Sequence, residues 1–303
     1  MNRVHDKPPS VTAGKNYSAP NPKSITFEGY TRRMSTAFLR ILVFLSLGLI
    51  SSQCSKPEVQ SPTGPRTLLA IFAHPDDEAT VSPVLAKYAA EGVTVYLAIA
   101  TDGRYGITEH AKIPAGDSLA AVRAEEAKCA AEKLGIQPPV LFGLHDQLKM
   151  GEGFGPLHEQ LNTMRDKVKE LFNTLQPDVV ITWDASGWTG HHDHRLVHAI
   201  VTDVFQSQSW GKPVQLYYSA IPTGNLPADS PMQLATTDSS YLPVRIPVSD
   251  TDYEKARESW HCHKSQYTPE TIEGMHQLIK GSLKGTAYFM PGAHASTKKN
   301  SLF

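Results

Sequence analysis

An apolar run from Thr67 to Phe72 breaks off into Ala73-His74-Pro75-Asp76-Asp77-Glu78, a histidine, a proline and three carboxylates in succession. Burying an unpaired charge costs on the order of several kcal/mol, so these groups either emerge into water or surround a cation. Ligands of open α/β sheets bind at the carboxyl ends of strands, which favours the cation. An acidic first helical turn would explain Asp77 and Glu78 but gives His74 nothing to do. A second cluster is Gly190-His191-His192-Asp193-His194-Arg195, with His198 beyond it, so that four of the chain's 13 histidines fall within eight residues. On a helix, His191 and His194 share a face, as do His194 and His198. Catalytic zinc sites take three protein ligands from His and Asp/Glu and leave a fourth position open. His74 and Asp77 with one histidine of the second cluster would make such a set. The plainer readings of the second cluster are a solvated helix start and an incidental metal-binding tract.

Both clusters sit where a strand is expected to pass into a helix. Strands are expected at Thr67 to Ala73, Val93 to Ala100, Val140 to Leu144 and Val179 to Trp183, and helices at Thr80 to Gly92, Ser118 to Gly135 and Pro156 to Leu175. This alternation implies right-handed crossovers and a parallel sheet. All four strands end in polar groups, His74 to Glu78, Asp102, Asp146 and Asp184, so one rim of the sheet gathers the chemistry. The second half continues with a helix from Arg195 to Phe205, strands at Val214 to Ala220 and Leu242 to Val248, and helices at Thr251 to Gln266 and Thr271 to Ile279. The expected fold is α/β, a Rossmann-like, mostly parallel sheet with helices on both faces, in one catalytic domain over residues 66–303.

The 303 residues carry a formal net charge of −1, which gives no electrostatic case for nucleic acid as a partner. The three cysteines, Cys54, Cys129 and Cys262, form no C-x-x-C. A cysteine zinc site is thereby excluded and a disulfide framework is not expected; Cys129 and Cys262 read as small apolar interior residues. Residues 1–33 are polar and without periodicity, a disordered or over-long start. Residues 34–53 have the short basic start and apolar run of a signal peptide. Cys54 just after them resembles the lipid-attachment cysteine of bacterial lipoproteins. Residues 54–65 read as a tether, so the expected location is outside the cytoplasm, on a membrane through the leader or a lipid.

Ala73-His-Pro-Asp-Asp-Glu78 followed by Gly190-His-x-Asp-His194 resembles the LmbE-like, PIG-L-type family of zinc-dependent de-N-acetylases. Supporting matches are Arg123-x-x-Glu126, Pro177-Asp178-Val-Val-Ile and His263-x-Ser265-Gln266; His192 departs from a common proline. The resemblance implies His74, Asp77 and His194 as ligands of Zn2+, with other divalent metals able to use such a set. It implies Asp76 as general base towards the attacking water. His191 would stabilise the oxyanion or protonate the leaving amine, and Asp193 would orient a histidine. Arg123, Asp146 and His263 are candidates for holding the substrate's hydroxyls. Asp76 and Asp77 are expected to divide these roles because adjacent side chains of an extended strand point opposite ways. The implied activity is removal of an acetyl group from a small N-acetylated amino sugar or its conjugate. Two rivals remain: an amidase acting on a larger N-acyl or thiol conjugate, and a zinc- or sugar-binding surface lipoprotein without turnover. The oligomeric state is not legible.

Overall fold

Strand β1 (Thr67–Phe72) is buried from Leu68 to its end, as a strand covered on both faces must be. It pairs in parallel with β2 (Thr94–Thr101) on one side and β4 (Val179–Trp183) on the other. β3 (Val140–Leu144) and β5 (Gln215–Ala220) continue the parallel sheet outward. With β6 (Val244–Pro247) and β7 (Thr286–Pro291) the order is β3-β2-β1-β4-β5-β7-β6, and β7 is antiparallel to both its neighbours. The computed structural model describes residues 65–292 apart from 212, 213, 229, 231 and 232. These residues belong to one compact unit. The expected disordered start, the signal peptide, Cys54 and nearly all of the tether lie outside the described residues.

The chain leaves β1 through α1 (Ser82–Ala90) to β2, and through α2 (Asp117–Leu134) to β3. It then returns across the sheet through α3 (Phe154–Leu175) to β4. The single turn α4 (Gly187–Gly190) and α5 (His192–Gln206) lead on to β5. Right-handed crossovers taken in opposite directions put α1 and α2 on one face and α3 and α5 on the other. α6 (Asp250–Trp260) joins the first layer, packing on α1 and α2, while α3 packs on α5. α7 (Pro269–Leu283) follows α6 and packs against it. The direction of winding reverses between β1 and β4. Their carboxyl ends therefore flank the crevice where such sheets bind ligands. The first cluster hangs from β1 and the second follows β4.

Three expectations need correction. The helix expected from Thr251 to Gln266 ends at Trp260, because residues 261–267 turn back to reach α2 and the β1 loop. β7 was not expected: its burial lacks alternation, so its sequence gives no period-2 signal. Cys129 and Cys262 are not plain interior apolar residues. They are disulfide-bonded, Cα to Cα 5.7 Å across a sequence separation of 133. Only the packing of α2 against the exit of α6 brings them together. A bridge closing so long a loop contributes about 2–4 kcal/mol, and such bridges persist in oxidising compartments.

Candidate functional site

The chain turns sharply after β1. Asp76 sits at φ 115°, a region that costs a non-glycine residue about 1–3 kcal/mol, and Asp77 opens a short 3₁₀ turn, Asp77–Thr80. The roles of the two carboxylates are thus separated by a left-handed kink, not by the alternation of an extended strand as the sequence suggested. Asp77 Oδ2 accepts the backbone N–H groups of Ala73 and His74 at 3.0 and 2.8 Å. Those bonds lock its carboxylate over the mouth of the crevice.

Three side chains then converge. His74 Nδ1 lies 3.2 Å from His194 Nε2. Asp77 Oδ1 is 3.3 Å from His194 Nε2, and Asp77 Oδ2 is 3.5 Å from His74 Nδ1. Nitrogen and oxygen ligands at about 2.0–2.1 Å in a tetrahedron stand about 3.4 Å apart, so the spacing fits a small divalent ion. The outer partners decide the tautomers. His74 Nε2 faces Asp193 Oδ2 at 3.1 Å and Asp146 Oδ1 at 3.4 Å, and His194 Nδ1 donates to the Gly187 carbonyl at 2.9 Å. Each ring therefore keeps its proton on the outer nitrogen and aims a lone pair inward. Two lone pairs facing each other at 3.2 Å repel unless a cation lies between them.

Electrostatics point the same way. Burial pulls the His74 pKa down, but Asp77, Asp146 and Asp193 outweigh burial and raise it well above its ordinary value. Burial likewise lowers the His194 pKa, yet Asp77 raises it on balance. Burial would lift Asp77, but the two imidazoles hold its carboxyl well below the usual range. The cage is built for positive charge.

The second cluster is set by a turn that the sequence did not reveal. Asp184 Oδ1 accepts from Ser186 N, Ser186 Oγ and Gly187 N, curling the chain so that Gly187 adopts φ 65°. A Cβ at Gly187 would stand 2.7 Å from His194 Cβ, so only glycine lets its carbonyl meet that ring. Trp183, at the end of β4, stacks flat on His194 at 4.2 Å and fixes its plane. Asp193 is fully buried; besides His74 it accepts the Gln147 N–H at 2.9 Å. Gln147, Leu148 and Lys149 all have left-handed φ values of 50–60°, at about 1–2 kcal/mol per residue. Buried Leu148 anchors this strained segment beside the site.

His191 borders the two ion-facing histidines, its ring centre 4.8 Å from that of His74 and 5.0 Å from that of His194. Burial, then the charge of its histidine neighbours, brings its pKa down to about 4. Its Nδ1 accepts the Asp193 N–H at 3.2 Å, which leaves Nε2–H as a donor. His192, where the sequence departs from the family pattern, stacks on His191 at 4.6 Å and stays out of the convergence.

Asp76 has its own frame. Oδ1 accepts from Arg123 Nη2 and Oδ2 from the Tyr267 hydroxyl, each at 2.8 Å. Burial raises its pKa, Arg123 opposes that, and Asp77 adds to it, for a net rise. Arg123 is neither an exposed partner of Glu126 nor a residue open to substrate. It is buried and also donates to the carbonyls of Pro75 and Gly103. Glu126 instead accepts from Ser265 N and Oγ. Asp146 is turned inward to His74 and the Tyr105 N–H rather than outward towards a substrate. His263 is 0% exposed and bound to Glu78, so it supports the Asp76 loop and cannot touch a ligand. Tyr267 went unread; its only signal was its place directly after the His263-x-Ser265-Gln266 match.

The family model described as PIG-L: GlcNAc-PI de-N-acetylase matches residues 69–205, the span holding both clusters. This is a PIG-L (LmbE-like) de-N-acetylase family domain. The chain is similar to the 1D-myo-inositol 2-acetamido-2-deoxy-alpha-D-glucopyranoside deacetylase of Mycobacteroides abscessus, 31% identical over 53% of this chain and 62% of that one. It is 29% identical to the mycothiol S-conjugate amidase of Streptomyces coelicolor, over 50% of this chain and 60% of that one. The chain thus spans about three-fifths of the length of these relatives. Its fold is that of N,N'-diacetylchitobiose deacetylase from Pyrococcus horikoshii, with TM-score 0.55 and 19% identity over 75% of this chain and 82% of that one. The PIG-L segment supplies His74, Asp76, Asp77, His191, Asp193 and His194. Tyr267, His263 and all of α7 lie outside it.

Proposed function

We propose that this protein is an exported, metal-dependent hydrolase of the N-acyl amide of an amino sugar or its conjugate, with an N-acetyl group as the simplest substrate. The observation that carries this reading is the convergence of His74 Nδ1, Asp77 and His194 Nε2 beside a separately framed carboxylate, Asp76. The relatives named as deacetylases, and the family, support it. A divalent ion held by those three residues would polarise the amide carbonyl and make water more acidic. Zinc is the default for a His/carboxylate set of this kind.

The chain's own groups account for the proton movements. Asp76, held by Arg123 and Tyr267, takes a proton from the attacking water on one of its remaining lone pairs. With its pKa down at about 4, His191 is neutral near pH 7 and not an acid; its Nε2–H donates to the developing oxyanion. Asp76 then holds the proton that the departing amine needs, since an unprotonated amine leaves poorly. Asp146 and Asp193 keep the His74 tautomer. A pure binding site has no use for a carboxylate framed in this way, which argues against the lipoprotein without turnover.

Zinc-loaded protein is expected to release acetate from N-acetylglucosamine or a glycoside of it, and to stop when a chelator strips the metal. Undiminished release in chelator would contradict the reading. Export is supported by the signal-like residues 34–53 and by the disulfide; mass spectrometry of the mature protein should find Cys54 first and acylated. A mature chain that starts at Met1 would exclude this.

A further inference from the structure

Asp76, Asp77 and His194 also close one end of a cavity of about 180 Å³. Its other walls are mainly apolar. Ile221, Leu226 and Leu234 come from the segment after β5, and Met275, Leu278 and Ile279 from α7. The methyl of an acetyl group would leave most of this space empty. An apolar cavity of about 150 Å³ holds a benzene molecule, so this one has room for a group of about six carbons. We infer that the cavity receives the acyl chain of the substrate, and that the amide this protein prefers carries a chain longer than acetyl. The inference rests on the amide-hydrolase reading and adds the identity of the acyl group.

The position of the cavity selects its occupant. Because it begins at the ion-facing atoms, whatever fills it is attached close to the reacting carbonyl. Groups suited to sugar hydroxyls stand elsewhere. Tyr105 pairs with His145 beyond the Nε2 edge of His74, next to Gln147, and none of the three lines the cavity. A substrate that spans the site therefore puts its sugar on the polar side and its acyl chain on the apolar one. The apolar walls from the post-β5 segment and α7 lie outside residues 69–205, so this preference belongs to this chain and not to the PIG-L segment. The chemistry is unchanged: the water oxygen bonds to the carbonyl carbon, the C–N bond breaks, and a longer carboxylate and the amine leave.

The test compares N-acetyl-, N-butyryl- and N-hexanoylglucosamine as substrates of the zinc-loaded protein. Burying a methylene is worth about fourfold, so kcat/KM for hexanoyl should exceed acetyl by at least about tenfold. Leu278→Trp, which fills the cavity, should lower the hexanoyl-to-acetyl ratio by about tenfold or more. Calorimetric titration of the unmodified protein with sodium hexanoate and sodium acetate gives a readout free of turnover and of any folding defect in the variant. Hexanoate should bind at least about tenfold tighter. Cleavage of acetyl at least as fast as hexanoyl, with hexanoate binding no tighter than acetate, overturns the inference and leaves the hydrolase reading intact. Failure to cleave any of the three amides overturns both.

Discussion

Asp76→Asn is expected to lower kcat by a factor of about 10²–10⁴, the range for loss of a positioned general base, while zinc still binds stoichiometrically. The amide keeps the size of the side chain and can still meet Arg123 and Tyr267, but it cannot take a proton. The two carboxylates differ in what holds them. Asp77 is fixed by backbone N–H groups and faces the imidazoles, whereas Asp76 is held from the side by α2 and by the segment before α7. The pH profile should change with the rate. Burial, opposed by Arg123, sets the Asp76 pKa above its ordinary value. As the base must be ionised, wild-type kcat/KM should fall on the acid side as pH drops through that raised value. This limb should vanish in Asp76→Asn. A variant with wild-type turnover would remove Asp76 from the chemistry.

His194→Ala should have the second large effect, and of a different kind. It removes one of three inward lone pairs and the ring stacked on Trp183. Loss of an outer partner of a metal ligand typically costs 10–100-fold in metal affinity, so loss of the ligand itself should cost at least about 100-fold. Turnover should fall with the zinc content measured after dialysis. His191→Ala is the informative contrast. Its Nδ1 is committed to Asp193 N, so zinc should remain bound while kcat drops. Zinc loss in His191→Ala with zinc retained in His194→Ala would reverse the assignment of the two histidines.

Much of this site was legible because its signal is local. His74, Asp76 and Asp77 follow one apolar strand, and His191, Asp193 and His194 open one helix, so type and spacing alone exposed them. The winding order was legible for the same reason: the first five strands alternate with helices. What stayed hidden depends on contacts distant in sequence. Tyr267 reaches Asp76 from 191 residues away, and Cys129 meets Cys262 across 133. Arg123 and Asp146 were read as substrate contacts because polar side chains near a rim usually face outward. Here a carboxylate and two backbone carbonyls hold the first, and the His74 ring with the Tyr105 N–H holds the second. The apolar cavity was equally out of reach, for its walls come from α7 and the post-β5 segment, neither of which carries a motif.

The most direct measurement is an anomalous-difference map from crystals of the protein grown with zinc, recorded on both sides of the zinc absorption edge. One peak is expected within ligand distance of His74 Nδ1, an Asp77 oxygen and His194 Nε2, with Asp76 unligated beside it. A peak held instead by His191, His192 and Asp193, or by His74 Nε2 with Asp146 and Asp193, two other groupings close enough to grip an ion, would contradict the placement of the metal and the role given to Asp76.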